Sequence, residues 1–154
     1  MKPIKIISSI LYFIILIYIV FFTAQRQIFK FTDAHSYLNL VPVINKVREF
    51  QKFKSTDLKE IMNYIFNLAG NIILFIPFSL IMFFVFNIRH KSTVIIAALT
   101  LSVLIEVLQF VLSSGVTDID DVLLNVTGAF LGWLLAKNIF IIKKGKSIPL
   151  FNFL

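Results

Sequence analysis

Hydrophobic residues fall into four long runs that are separated by charged segments. The runs cover residues 6–22, 64–88, 92–112 and 122–142, and each holds at most one charged residue. A helix rises about 1.5 Å per residue, so about 20 apolar residues are enough to cross the hydrocarbon core of a membrane. The pattern predicts an all-α fold, an integral membrane four-helix bundle that forms a single domain over residues 1–154.

Local signals refine two of these runs. The first run follows Lys2 and Lys5, which is also typical of a signal peptide. Its apolar core is longer than the ~7–15 residues usual in signal peptides, so we expect an uncleaved span. The second run contains Pro77, which cannot donate a hydrogen bond to the carbonyl of Ile73. A kink is therefore predicted at that point.

The long first loop, residues 23–63, leaves two interpretations open. Val43, Val47 and Phe50 recur at helical spacing among basic residues. This pattern predicts a short amphipathic helix lying on the membrane surface. A solvated loop is equally compatible with the same residues.

Composition supports the membrane assignment and narrows the chemistry. The chain is 58% hydrophobic and 15% charged, against about 45–50% and about 25% in soluble domains. Cysteine is absent and the two histidines, His35 and His90, lie far apart in the chain. We therefore expect no disulfide, no thiolate nucleophile, no metal site and no cofactor. The net charge of +7 favours lysines facing anionic lipid over nucleic-acid binding.

Polar residues of the spans concentrate in one half of the membrane. Antiparallel spans place the first and third loops on one side, and the polar residues lie in the helix halves next to those loops. Spacings of three or four residues give each helix one polar face. This distribution predicts a ligand-binding site. Its candidate residues are Asn67, Asn71, Glu106, Gln109, Asp118, Asp121 and Asn125.

Glu106 is the most informative of these residues. An intramembrane carboxyl group is costly, so we expect Glu106 to be protonated, paired or hydrated. The amides could instead serve only as hydrogen bonds between helices, and Asp118 could serve only as the N-cap of the last helix. Gly128 and Gly132 continue the polar face of that helix as small residues four apart, which predicts close approach of another helix.

The same residues resemble a known family. Residues 67–77 carry N-x-x-x-N-x-x-x-F-x-P, residues 106–109 carry E-x-x-Q, and residues 118–128 carry D-x-x-D-x-x-x-N-x-x-G. An N-L-x-P element precedes them at residues 39–42. Together and in this order, the four elements resemble the VanZ-like membrane proteins over about residues 38–132.

The resemblance implies a protein of the bacterial cell envelope that affects susceptibility to teicoplanin, a lipid-tailed glycopeptide antibiotic. The chain departs from the family in three places. Many relatives have an Arg just before the first Asp, whereas Gly115, Val116 and Thr117 occupy that stretch here. Ser79 and Val43 stand where relatives often have Gly and Phe. The missing Arg puts in doubt any role that needs a fixed cation beside the acidic residues.

Basic residues indicate the orientation. Their numbers are nearly equal on the two sides, but on the side of the termini they sit in short segments at the span ends. The third loop has three Asp and no Lys or Arg. By the positive-inside rule we expect both termini to be cytoplasmic and the polar residues to lie in the outer leaflet.

Three functions compete. The first is a non-enzymatic membrane protein that binds a lipid or lipid-tailed ligand, with a homo-oligomer left open. The second is an intramembrane hydrolase or transferase that uses Glu106 and Asp121 on a lipid-linked substrate. The third is a proton-coupled transporter, which is disfavoured because no polar route crosses the other leaflet. Whether the chain is an enzyme stays open, with binding favoured.

Overall fold

Four long helices make up most of the structure, a computed structural model that describes residues 3–22, 38–39, 58–112 and 117–143. The helices are α1 (Pro3–Phe22), α2 (Leu58–Phe84), α3 (Lys91–Val111) and α4 (Ile119–Lys143). Each is long and apolar enough to span a membrane. The predicted all-α membrane bundle is confirmed, while the proposed amphipathic helix of the first loop lies outside the described residues.

Helix ends follow from local sequence. Pro3 occupies the first position of α1, where a proline costs no hydrogen bond. α2 runs through Pro77 without interruption and stops before Asn87, whose left-handed backbone (φ 60°) reverses the chain. α2 begins before the predicted run and ends before its last residues, since hydropathy marks the apolar stretch and not the helix caps.

The chain passes up and down through the bundle. Lys5 near the start of α1 donates a hydrogen bond to the carbonyl of Phe84 at the end of α2. Trp133 of α4 donates to the carbonyl of Arg89, which precedes α3. We call this end of the bundle, marked by the α2–α3 connection at residues 85–90, the turn end.

Two short strands mark the opposite end. β1 (Leu38–Asn39) lies in the first loop and β2 (Thr117–Asp118) lies between α3 and α4. They pair in parallel, with Leu38 opposite Thr117 and Asn39 opposite Asp118. We call this the strand end. The first and third loops therefore share one side, as the sequence predicted, although the pairing itself was not foreseen.

α2 and α4 form the closest helix pair of the bundle. A Cβ added to Gly128 would collide with the backbone of Ile72, and one added to Gly132 would lie 2.5 Å from the carbonyl oxygen of Ile76. The hydroxyl of Ser79 adds a 2.6 Å hydrogen bond to the carbonyl of Ala129 across the same contact. The predicted small-residue face is therefore confirmed, and α2 is the helix that it admits.

α1 contributes one face to the apolar core of the bundle. Its Leu16 and Val20 are buried and belong to one apolar cluster with residues of the other three helices, among them Phe75, Ile105 and Ala129. Most of the remaining apolar side chains of α1 are exposed. Such exposure is expected for side chains that face lipid.

Candidate functional site

Glu106 is buried near the end of α3 and is held by the backbone of the following connection. Its side chain is 4% exposed, and Oε2 accepts a 2.9 Å hydrogen bond from the amide N–H of Asp118. The hydroxyl of Thr117 donates to the carbonyl of Glu106 at 3.3 Å. A backbone amide is therefore one hydrogen-bond partner of this carboxyl group. The hydrogen bond joins α3 to the residue directly before α4.

Asp118 acts as the N-cap of α4. Its Oδ1 accepts a 3.0 Å hydrogen bond from the amide N–H of Asp120, which lies in the first turn of that helix. This is the usual capping geometry of Asp, and the acidic first turn also suits the positive end of the helix dipole. Asp118 therefore has the N-cap role that the sequence suggested as its structural function.

Gln109 links two helices. It is almost fully buried, and its Nε2 donates a 3.3 Å hydrogen bond to the carbonyl of Val20 at the end of α1. Its Oε1 has no partner among the described residues. This geometry matches the interpretation of the amide as a link between helices.

Asn125 is the seventh residue of α4 and forms a hydrogen bond with α3. Its Nδ2 donates a 2.8 Å hydrogen bond to the hydroxyl of Ser102. Its Oδ1 is buried and accepts no hydrogen bond from the residues that the structure describes. Ser102 was not singled out from the sequence, although its position four residues before Glu106 places it on the same face of α3.

A cavity of about 790 Å³ lies among all four helices. It brings together five of the seven residues predicted for the site, whereas Gln109 and Asp118 do not line it. Asn67 is exposed and Asn71 is partly buried, so α2 supplies the more open side. We call these five residues the polar end of the cavity: Asn67, Asn71, Glu106, Asp121 and Asn125.

The rest of the cavity is mostly apolar and extends along α1. Its lining on that helix runs from Ser8 to Val20, about 18 Å at the helical rise of 1.5 Å per residue. Two hydroxyl groups interrupt the apolar wall, those of Ser8 and Tyr12. They were missed because neither residue is unusual within an apolar run, but their spacing of four residues is a signal of a shared face.

Metal binding finds no support in the described ranges, where no three His, Cys, Asp or Glu side chains are grouped to hold an ion. Among the described lining residues, two carry carboxyl groups, Glu106 and Asp121. The arrangement can accept hydrogen bonds and can hold a polar group at one end of an apolar slot.

Basic and aromatic side chains occupy the turn end. The guanidinium of Arg89 lies 4.2 Å from the ring centroid of Phe140. The ammonium groups of Lys91 and Lys137 lie 5.9 Å and 5.2 Å from the rings of Phe130 and Trp133. Basic and aromatic residues of this kind are enriched where helices meet the membrane–water interface.

Comparison with known proteins agrees with the motifs. A family model described as VanZ/LLP1 matches residues 9–142. The chain is 33% identical over 128 residues to Protein VanZ of Enterococcus faecium, a match that covers 79% of this chain and 66% of that protein. The matched part is thus slightly under two thirds of that relative. No solved structure matches the chain.

Proposed function

The chain belongs to the VanZ/LLP1 family of membrane proteins, and on this premise we propose that it binds a lipid or a lipid-tailed molecule in the cavity between its helices. The head group would occupy the polar end and the acyl chain would follow α1. Binding of this kind would hold a lipid-tailed antibiotic in the membrane and reduce its access to the target.

The observation that carries the proposal is the division of the cavity into a polar end and a long apolar part. Lipids are amphipathic on the same length scale, since an acyl chain spans about half of a ~30 Å hydrocarbon core. A volume of about 790 Å³ also falls within the ~300–1,000 Å³ of ligand pockets. A bundle whose buried polar groups served only to join helices would not need such a cavity.

The charge distribution supports the orientation that we propose. Arg89, Lys91 and Lys137 lie toward the turn end, whereas Asp118 and Asp120 lie at the strand end. The positive-inside rule counts Lys and Arg, and the three basic residues toward the turn end favour cytoplasmic termini and a strand end that faces outward. The polar end of the cavity would then lie in the outer leaflet, which is the leaflet that an antibiotic arriving from outside meets first.

Gly70 allows the cavity to be closed selectively. It lines the cavity, and a Cβ added there meets no atom within 4 Å. We expect Gly70→Trp to fill the cavity without disturbing the helix contacts, and Gly70→Ala to leave it open. The measurement is the minimal inhibitory concentration of teicoplanin in a susceptible bacterium that expresses each variant at equal level.

Protection should be equal for the unaltered protein and Gly70→Ala, and should fall to the empty-vector level for Gly70→Trp. A glycopeptide without a lipid tail is the control antibiotic and should be unaffected by either variant. Full protection by Gly70→Trp would contradict the proposal, because the cavity would then be dispensable.

An intramembrane hydrolase or transferase is the second candidate. The observation in its favour is that Glu106 and Asp121 line the same cavity, so one could act as a general acid or base next to a bound lipid. Release of product from a purified envelope lipid by the unaltered protein, and its loss in Glu106→Gln, would favour this function. Capture of the lipid without any turnover would favour binding.

A further inference from the structure

The polar end of the cavity is rich in hydrogen-bond acceptors. Glu106 and Asp121 supply carboxyl groups, and Asn67, Asn71 and Asn125 supply side-chain amides, each with one oxygen acceptor and one NH2 donor group. Among the lining residues in the described part of the chain there is no Lys, Arg or His. An anionic group would therefore meet the carboxyl groups of this wall, which disfavours it.

The hydroxyl groups of the lining do not change this balance, because their hydrogens are used inside the protein. Tyr12 donates to the carbonyl of Leu74 at 3.0 Å, and Ser8 donates to the carbonyl of Lys5 at 3.0 Å. Toward the cavity these oxygens can therefore only accept.

Asn125 provides the most specific acceptor. Its side chain is 4% exposed, and its Nδ2 is held by Ser102, which does not line the cavity. Asn125 lines the cavity, and its amide oxygen is buried and has no donor among the described residues. Since a buried acceptor without a donor is unfavourable, a ligand that donates there would bind more tightly.

We infer that the cavity selects a primary ammonium head group carried by a lipid or lipid-tailed molecule. An N–H of the ammonium would donate to Oδ1 of Asn125, and its positive charge would lie beside Glu106 and Asp121. An ammonium group carries only donors and a positive charge, so it complements the two carboxyl groups and the unpartnered oxygen of Asn125. A charge-assisted hydrogen bond is also stronger than a neutral one. This inference rests on the proposed function and adds the chemistry of the head group.

The test is the affinity of the detergent-solubilised full chain for single phospholipids, measured by native mass spectrometry. The probes share their acyl chains and carry ethanolamine, N-methylethanolamine, N,N-dimethylethanolamine or choline, which keeps the charge and removes one donor at a time. We expect affinity to fall along this series, by about tenfold in total if one charge-assisted hydrogen bond is lost. A phosphatidylglycerol with the same acyl chains, which has no ammonium group, is the anionic control. Equal affinity for the ethanolamine and choline lipids would overturn the inference, as would tighter binding of phosphatidylglycerol than of the ethanolamine lipid.

Two variants test the role of Asn125 itself. Asn125→Leu and Ser102→Ala both remove the hydrogen bond between these residues, but only Asn125→Leu removes the unpartnered amide oxygen. We expect Asn125→Leu to lose the preference for ethanolamine over choline and Ser102→Ala to keep it. An unchanged preference in Asn125→Leu would overturn the inference. If Asn125→Leu does not fold, the methylation series on the unaltered protein decides.

Competition separates the possible sources of the ammonium group. A long-chain primary amine should displace the ethanolamine lipid, whereas glycerophosphoethanolamine, which lacks acyl chains, should not. The reverse result would show recognition of a soluble phosphate-containing head group and would overturn the inference. Gly70→Trp separates the two proposals. If Gly70→Trp abolishes lipid binding but methylation of the head group does not change the affinity, only the inference about the ammonium group is refuted. If Gly70→Trp does not affect lipid binding, both proposals are refuted.

Discussion

Glu106 combines two roles at the scale of a single side chain. One oxygen accepts the amide N–H of Asp118, and the side chain also lines the cavity. The structural role needs only an acceptor, which an amide oxygen can replace. The proposed ligand role benefits from a carboxylate, which an amide cannot replace. The two roles are therefore separable by substitution.

We predict that Glu106→Ala destabilises the protein and that Glu106→Gln does so much less. The alanine leaves the buried amide of Asp118 without its acceptor, at a cost of about 1–3 kcal/mol, whereas glutamine retains an oxygen. Thermal unfolding in detergent measures the difference. An equal loss of stability in both variants would show that the negative charge, and not the acceptor, holds the connection before α4.

At this scale the sequence predicted which polar residues line one cavity, five of the seven candidates, better than it predicted their hydrogen-bond partners. The cost of burying a carboxyl group within a membrane span is enough to single out Glu106 from the sequence alone. The partnership of Asn125 with Ser102 could not be deduced, because it depends on the rotation of α3 against α4. For Asp118, the capping role weighed from the sequence is the one that its hydrogen bond to the Asp120 amide displays.

At the scale of elements, the contact between α2 and α4 depends on glycine. The backbone of α2 occupies the space that a side chain would need at Gly128. At Gly132 the added Cβ would be slightly farther from that backbone, but still too close. Gly70 is a matched control in the same bundle, because space is open around it. Overpacking of a tight contact costs typically about 1–3 kcal/mol, and more when the obstructing atoms belong to the backbone.

We predict that Gly128→Ala lowers the melting temperature in detergent markedly, Gly132→Ala lowers it less, and Gly70→Ala leaves it unchanged or slightly higher. The last expectation follows from the better helix propensity of alanine. Equal melting temperatures for all three variants would contradict the close approach of α2 and α4.

The pairing of β1 with β2 is the element that the sequence did not predict. Strands of two residues leave no periodic pattern, and the pairing joins segments far apart in the chain. The absence of cysteine from the chain makes it simple to test.

A double variant with Leu38→Cys and Thr117→Cys should form an internal disulfide on mild oxidation, because these residues are paired in register. The control pair, Leu38→Cys with Ser92→Cys, joins the strand end to the turn end and should not. Mobility on non-reducing gels reports the result. Similar cross-linking of both pairs would show that the first loop does not rest on the α3–α4 connection.

At the scale of the whole molecule, charge is distributed unevenly between the two ends of the bundle. Arg89, Lys91 and Lys137 lie over aromatic rings at the turn end, and the acidic cap of α4 lies at the strand end. Hydropathy and charge patterning were sufficient to predict the four apolar helices, and the placement of the polar residues in one leaflet stays a prediction. They could not predict the cavity, because its volume depends on how far α1 stands from the other helices.

We predict that the strand end faces outward. Leu58→Cys at the start of α2 is exposed and should react with a membrane-impermeant thiol reagent on intact cells. His90→Cys at the turn end should react only after the cells are opened. The opposite pattern of labelling would place the polar end of the cavity in the inner leaflet.

The central claim is that a lipid occupies the cavity. The most direct measurement is photolabelling of the membrane-embedded protein with a phospholipid that carries a diazirine on its acyl chain, followed by mass spectrometry of the labelled peptides. Labels on the cavity-lining residues of α1 and α2, lost in Gly70→Trp but kept in Gly70→Ala, would agree with the account. Labels confined to the outward faces of the helices, and equal in both variants, would contradict it.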